Sequence, residues 1–227
     1  MNKEYLKLVK HVFDNGVGVT SRNGNTLSIP HASFTLDFSK DDPLLSLRKM
    51  SPKGIEGEFK TFIDSSVPLT NVLNFKANGC NYWGEWADSE GKLNLDYYNM
   101  LHPQLEDVIN NMKSNPESRR HVIELWNHDH VESGELSLPS CWHGMTFSII
   151  DNKLHMTWVQ RSVDVMIGLP SDVYLAYLFM NYISKLTNTE VATCMFALSN
   201  VHIYATHLEG VQDMLDGKQD TKFKIVA

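Results

Sequence analysis

Cysteine is scarce in this 227-residue chain. Its three thiols, Cys80, Cys141 and Cys194, are odd in number, widely spaced, and free of a CxxC pair or a histidine cluster. That pattern excludes a disulfide scaffold and a structural zinc site, and it points to a reducing compartment. Long apolar runs are missing too. No segment reaches the roughly 20 residues that span a bilayer, and Met1-Asn2-Lys3-Glu4-Tyr5 opens without an apolar signal core. A cytoplasmic protein with no membrane partner is expected. Positive charge is in deficit, with 20 Lys and Arg against 27 Asp and Glu and a net charge of −7. Nucleic acids and anionic membranes need a basic face, so neither is expected as the main partner, although a small anion can bind where a few arginines converge. Low-complexity tracts and internal repeats are absent from the sequence. What remains is an ordinary globular composition, 42% hydrophobic and 21% charged, with 13 Gly and 8 Pro. One domain spanning 1–227 around a single core is expected.

Residues 3–14 place Tyr5, Leu6, Val9, Val12 and Phe13 on one helical face and stop at Asn15-Gly16. Residues 26–38 alternate as a strand does, with Pro30 marking an edge or a bulge. Residues 54–63 and 96–113 read as helices, the second buried along Leu101, Leu105, Val108, Ile109 and Met112. Strands are predicted over 122–126, 146–150 and 154–160, the last two joined by a hairpin through Asp151-Asn152. Ser171 is placed to cap a long apolar helix over 172–186. A strand follows over 193–198 and a helix over 206–215. Helices mixed with hairpin-linked strands give an α+β fold, one large and mostly antiparallel sheet covered by helices.

Three blocks carry chemistry. Leu138-Pro139-Ser140-Cys141-Trp142-His143 offers a thiol. The stretch from Gln160 through Arg161, Ser162, Asp164, Gly168, Leu169 and Pro170 to Asp172 combines a cation, a hydroxyl and two carboxylates in apolar surroundings. Asn200-Val201-His202-Ile203-Tyr204 adds two polar rings on one strand face. Together they suggest a thiolate nucleophile beside an anion site, with hydrogen-bonding groups to read a small polar ligand. Taken singly, Cys141 reads as a small buried hydrophobe. Arg119-Arg120 reads as a solvated basic pair, His202 and Tyr204 as core residues, and Glu58 as a helix-surface carboxylate.

With these blocks in order, the chain resembles the thymidylate synthase family over most of its length. Ser21-Arg22-Asn23-Gly24-Asn25-Thr26-Leu27-Ser28 is similar to that family's amino-terminal phosphate loop. Glu58-Phe59-Lys60-Thr61-Phe62 resembles its catalytic-glutamate helix, and Tyr82-Trp83-Gly84-Glu85-Trp86-Ala87-Asp88 its folate-side tryptophan motif. Asn115-Pro116-Glu117-Ser118-Arg119-Arg120 resembles the arginine pair that each subunit lends its neighbour. The resemblance implies a homodimer joined through the sheet, with 5,10-methylenetetrahydrofolate as cofactor. It implies that Cys141 attacks carbon 6 of a pyrimidine and that Arg161 favours its thiolate. Glu58, with water and Tyr97, would manage protons. Arg22, Arg119, Arg120, Arg161 and Ser162 would bind the nucleotide phosphate, for which the planar arginine fork is suited. Gln160, Asp164 and Asp172 would also contact the nucleotide, and His202 and Tyr204 its sugar hydroxyl. Trp83, Trp86, Asp164, Gly168 and Ala227 would form the folate side. No metal is implied.

Two departures from the synthases point to a different base. In those enzymes, the position two after the proline of Gly168-Leu169-Pro170 is Asn, whereas here it is Asp172. An ionised carboxylate only accepts hydrogen bonds, which suits the amino group of cytosine and opposes the carbonyl of uracil. A site of that kind discriminates by roughly 10⁴-fold. Trp142 stands where the synthases usually carry His beside the nucleophile. The 18 residues after Glu209, from Gly210 to Ala227, are fewer than in typical synthases, so a shorter lid would let water reach an exocyclic methylene. These features resemble the bacteriophage deoxycytidylate hydroxymethylases, which would place the protein in a host cytoplasm. The expected reaction is hydroxymethylation of dCMP. Methylation of dCMP, ordinary action on dUMP, and a non-catalytic nucleotide-binding relic are the alternatives.

Overall fold

A computed structural model describes residues 1–64, 71–95, 97–218 and 223. Helix α1 (Asn2–Asn15) leads into the hairpin of β1 (Val17–Ser21) and β2 (Gly24–Asp37). Helices α2 (Pro52–Ile63) and α3 (Val72–Ala77) follow, then a 3-10 turn (Tyr82–Trp86), α4 (Tyr97–Ser114), β3 (Val122–Glu124) and α5 (His128–Glu132). Next come β4 (Trp142–Ile150), β5 (Lys153–Gln160), β6 (Val163–Asp164), α6 (Gly168–Thr187), β7 (Glu190–Tyr204) and α7 (Leu208–Leu215).

The strands form one sheet in the order β1-β2-β7-β5-β4-β3, with β6 also paired to β7. Hairpin neighbours are antiparallel, as expected, and the Asp151-Asn152 turn has positive φ at both residues, which the β4–β5 twist favours. The β5–β7 and β6–β7 pairs are parallel. Helix α6 makes that possible, because a parallel return needs a crossover long enough to carry the chain back along the sheet. The inner face, through Leu36, Phe147, Met156, Trp158, Phe196 and Leu198, packs on the apolar side of α6 around Val173, Phe179 and Ile183. The outer face carries short polar and apolar side chains such as Ser33, Thr157, Thr193 and Met195. The α+β fold with a large, mostly antiparallel sheet under helices is as expected.

One local expectation holds and one is corrected. Pro30 lies at a local edge, because β1 pairs only with residues 24–28 of β2 and leaves Pro30 with β7 as its one neighbouring strand. On the β7 side Ile29↔Val201 and His31↔Ser199 keep one register, and the ladder is interrupted opposite Asn200, which adopts φ 47°. Helix α6 starts at Gly168, so Ser171 lies in its first turn rather than capping it, and Ile167 at the cap position makes no side-chain bond.

Candidate active site

One cavity of about 770 Å³ opens beside the carboxyl ends of the central strands. Cys141 reaches it from the entry to β4, and Glu58 from α2. Trp83 and Trp86 come from the 3-10 turn, Tyr97 from the start of α4, and Arg22 from the β1–β2 turn. Arg161, Ser162 and Asp164 arrive from the segment after β5, Gly168 and Asp172 from the first turn of α6, and His202 and Tyr204 from the end of β7. Gln160 is 1% exposed and lies behind this wall, touching it through Asp172. Arg119 and Arg120 are exposed just before β3 and do not line the cavity of their own chain. Ala227 lies outside the described residues.

Burial holds the Cys141 thiol up at about 11. Arg161 pulls it down, and Asp172 and Asp164 push it further up. Arg161 therefore acts in the expected direction, but burial outweighs it. The guanidinium is aimed at the loop that leads into Cys141, with Nε donating to Ser140 O at 2.8 Å and Nη2 to Pro139 O at 2.9 Å. It lies 5.1 Å from the centre of the Trp126 ring, close enough for a cation–π contact. The Arg161 backbone N–H donates to Cys141 O at 2.9 Å, so one residue fixes the loop from both its main chain and its side chain.

Glu58 depends on a glycine. A Cβ on Gly57 would stand 2.3 Å from Asn78 O, so only glycine lets α2 press against the 78–80 loop. That contact brings Glu58 to Tyr82, whose hydroxyl donates to Oε2 at 2.6 Å, and to Trp83, whose Nε1 donates to Oε1 at 2.7 Å. Burial raises Glu58 to about 7, with both donors opposing the rise. Trp83 is 5% exposed and commits its N–H to this carboxyl, while Trp86 offers a half-buried ring to the cavity.

At the other end, Asp172 Oδ2 accepts from Gln160 Nε2 at 2.7 Å. Burial first, then Glu58, lift Asp172 to about 8, and the Gln160 bond opposes them. The carboxyl is therefore largely protonated at neutral pH, unlike the ionised acceptor expected from the sequence. Asp164 Oδ1 accepts from Met166 N and Ile167 N at 2.9 and 3.2 Å, and burial raises this group too. His202 Nδ1 lies 2.8 Å from Asn200 O. A carbonyl only accepts, so Nδ1 carries the proton and a neutral His202 keeps Nε2 as its acceptor.

Several lining residues had no sequence signal. Tyr82 sits within a recognised motif, but its reach to Glu58 depends on the α2–turn packing. Arg48, whose Nη2 donates to Ile167 O at 3.3 Å, and Lys49 come from a segment without secondary-structure periodicity. Phe223 also lines the cavity and meets His207 edge-on at 5.4 Å, so part of the carboxy-terminal segment reaches the site. Among the described residues no helix is long and apolar enough to cross a membrane, and no group of three or more His, Cys, Asp or Glu could hold a metal ion. A family model described as thymidylate synthase matches residues 3–226.

Proposed function

The chain belongs to the thymidylate synthase family, whose chemistry is folate-dependent one-carbon transfer to carbon 5 of a pyrimidine nucleotide, and we propose that its substrate is dCMP and its product 5-hydroxymethyl-dCMP. In this reading residues 1–227 act as one catalytic domain within a homodimer. The observation that carries the base assignment is Asp172 in the cavity wall, with Oδ2 held by Gln160.

A neutral carboxyl presents one O–H donor and one acceptor oxygen. The Gln160 amide marks Oδ2 as acceptor and leaves the proton on Oδ1. With Oδ2 toward ring position 4, Asp172 accepts from the cytosine amino group and donates to ring N3. Uracil needs the reverse, a donor toward O4 and an acceptor for N3–H, which sets the Asp172 proton against the Gln160 bond. The neutral carboxyl can still make that exchange. Its raised pKa therefore favours a second reading in which dUMP is also accepted, most readily below about pH 8.

The rest of the wall supports addition chemistry. As sulfur of Cys141 bonds to carbon 6, the electron pair of the 5,6 double bond moves to carbon 5, and a proton shared with Asp172 at N3 draws off the charge. Burial keeps Cys141 protonated in the free site, so its S–H bond breaks in that step and the ionised form of Glu58 takes the proton through water. Glu58 near 7 can hold or release a proton at neutral pH, which suits a group that moves protons around the ring. Arg22, Arg161 and Ser162 face the same space and offer donors to a phosphate. Arg119 and Arg120 would complete this set from the partner subunit.

A folate fits beside the nucleotide. The cavity is in the upper range for ligand sites, and Trp86, Ile55, Leu138, Ile167 and Phe223 give it an apolar side. Asp164 would meet the pterin, and Arg48 and Lys49 place positive charge in the wall for an anionic tail. When bound, 5,10-methylenetetrahydrofolate supplies the methylene carbon.

The test is to offer dCMP and dUMP together and identify products by mass spectrometry, for wild type and Asp172→Asn. The expected wild-type product is 5-hydroxymethyl-dCMP. A methylated dCMP would correct the product alone, and wild-type preference for dUMP would overturn the base assignment. Asp172→Asn should shift the ratio of kcat/KM values toward dUMP by about tenfold or more. Wild-type preference for dCMP with no shift in the variant would move base reading to another residue, with Trp142 next in line.

A further inference from the structure

Tyr82 is drawn into the site without a role in the reading above. We propose that Tyr82 is a positioning residue that holds the proton-carrying oxygen of Glu58 in both ionisation states and sets how readily it titrates, resting on the reading of Glu58 as the proton-managing group.

The geometry divides the two carboxyl oxygens. Trp83 Nε1 stands 2.7 Å from Oε1, and an indole N–H can only donate, so Oε1 must remain an acceptor in either ionisation state. A carbonyl oxygen accepts better than a hydroxyl oxygen, so the Trp83 bond favours Oε2 as the oxygen that carries the proton. The partner of Oε2 is the Tyr82 hydroxyl at 2.6 Å, and a phenol both donates and accepts. With Glu58 ionised, Tyr82 donates to Oε2. With Glu58 neutral, Oε2 donates to the Tyr82 oxygen, and the short contact survives with its direction reversed. The phenol hydrogen then needs another acceptor, and the Cys80 thiol is the neighbouring group that interacts with the same hydroxyl. Burial keeps the Cys80 thiol protonated, so the sulfur offers a weak lone pair and takes no proton. No covalent bond of Tyr82 breaks in this exchange, because the hydroxyl only rotates.

The titratable groups facing Glu58 are Tyr82 of the 3-10 turn, Cys80 before it, Tyr97 of α4 and Asp172 of α6. Among the described residues no cation is one of them, so the two donors supply the stabilisation of the ionised form. Tyr82 and Trp83 are consecutive residues on one 3-10 turn, so a single element sets both contacts.

The experiment compares wild type, Tyr82→Phe and Glu58→Gln with dCMP and dUMP as probes. It reads kcat against pH and follows the Glu58 carboxyl stretch by infrared difference spectroscopy against Glu58→Gln. In Tyr82→Phe the donor to Oε2 is gone. The carboxyl titration and the matching limb of the pH profile should then both move up by about one unit, a tenfold change in proton concentration. An unchanged titration in a folded Tyr82→Phe protein overturns the proposal. If Tyr82→Phe does not fold, a fluorinated tyrosine at position 82 keeps the shape and strengthens the donor. The titration should then move down, and no movement again overturns the idea. Glu58→Gln separates the two readings. Near-normal turnover in that variant removes Glu58 from proton transfer, whereas a dead Glu58→Gln beside an unmoved Tyr82→Phe leaves Glu58 in place and removes Tyr82.

Discussion

Asp172, Glu58 and Cys141 share one cavity wall, and burial raises the pKa of all three. For the carboxyls this has a consequence in stability. The folded Asp172 titrates at about 8 against an ordinary 3.8, so the folded chain binds a proton over that span that the unfolded chain has released. Stability then falls as pH rises from about 4 to 8 and levels off above, and Glu58 adds the same sign between 4.5 and about 7. Asp172→Asn removes the first of these contributions. The melting temperature of the variant minus that of wild type should therefore grow from pH 5 to pH 8 and flatten beyond. A constant difference across that range would mean that Asp172 is ionised in the folded protein. The site thus keeps two carboxyls at the edge of ionisation where an exposed pair would be fully charged.

At the scale of elements, the close approach of α2 to the 78–80 loop decides where Glu58 points. Gly57→Ala would drive a methyl into Asn78 O and Cys80 N, both backbone atoms that cannot swing aside. The cost should be about 1–3 kcal/mol of stability by overpacking. The Tyr82 and Trp83 bonds to Glu58 should also lengthen, so activity should drop more than stability does. Urea unfolding together with kcat on the folded variant checks both, and full activity in a destabilised Gly57→Ala protein would show that Glu58 tolerates displacement. The long strand β7 is the other positioning element. Asn200 turns left-handed opposite Pro30, its side-chain Nδ2 donates to Arg161 O at 2.8 Å, and its carbonyl takes the His202 proton. One interruption in the ladder therefore ties Arg161 to His202.

Across the whole molecule, the outer sheet face is the surface we propose for a second copy, and Arg119 and Arg120 do not line their own chain's cavity. Both support composite sites in a homodimer. Mixing inactive Cys141→Ser subunits with inactive Arg119→Ala/Arg120→Ala subunits should restore about a quarter of wild-type activity after random exchange, since each heterodimer holds one intact site. No recovery after exchange has been demonstrated by mass spectrometry would contradict sharing of the arginines.

Local pattern alone determined the fold class. The 3.6-residue stripe of 96–113, the period-2 alternation of 26–38 and the Asp151-Asn152 turn are short-range signals, and each became the expected element. The cavity residues Cys141, Glu58, Arg161 and Asp172 were equally legible, since they stand in motifs whose order the sequence displays. What tertiary structure decided was their ionisation and their partners. Desolvation belongs to a cavity wall assembled from α2, α4, α6, β4 and β7, and no one segment contains it. The neutral Asp172, the thiol form of Cys141 and the reach of Tyr82 to Glu58 follow from that assembly. The Pro30 interruption does too, because only pairing with β7 shows that a proline in β2 faces a left-handed asparagine.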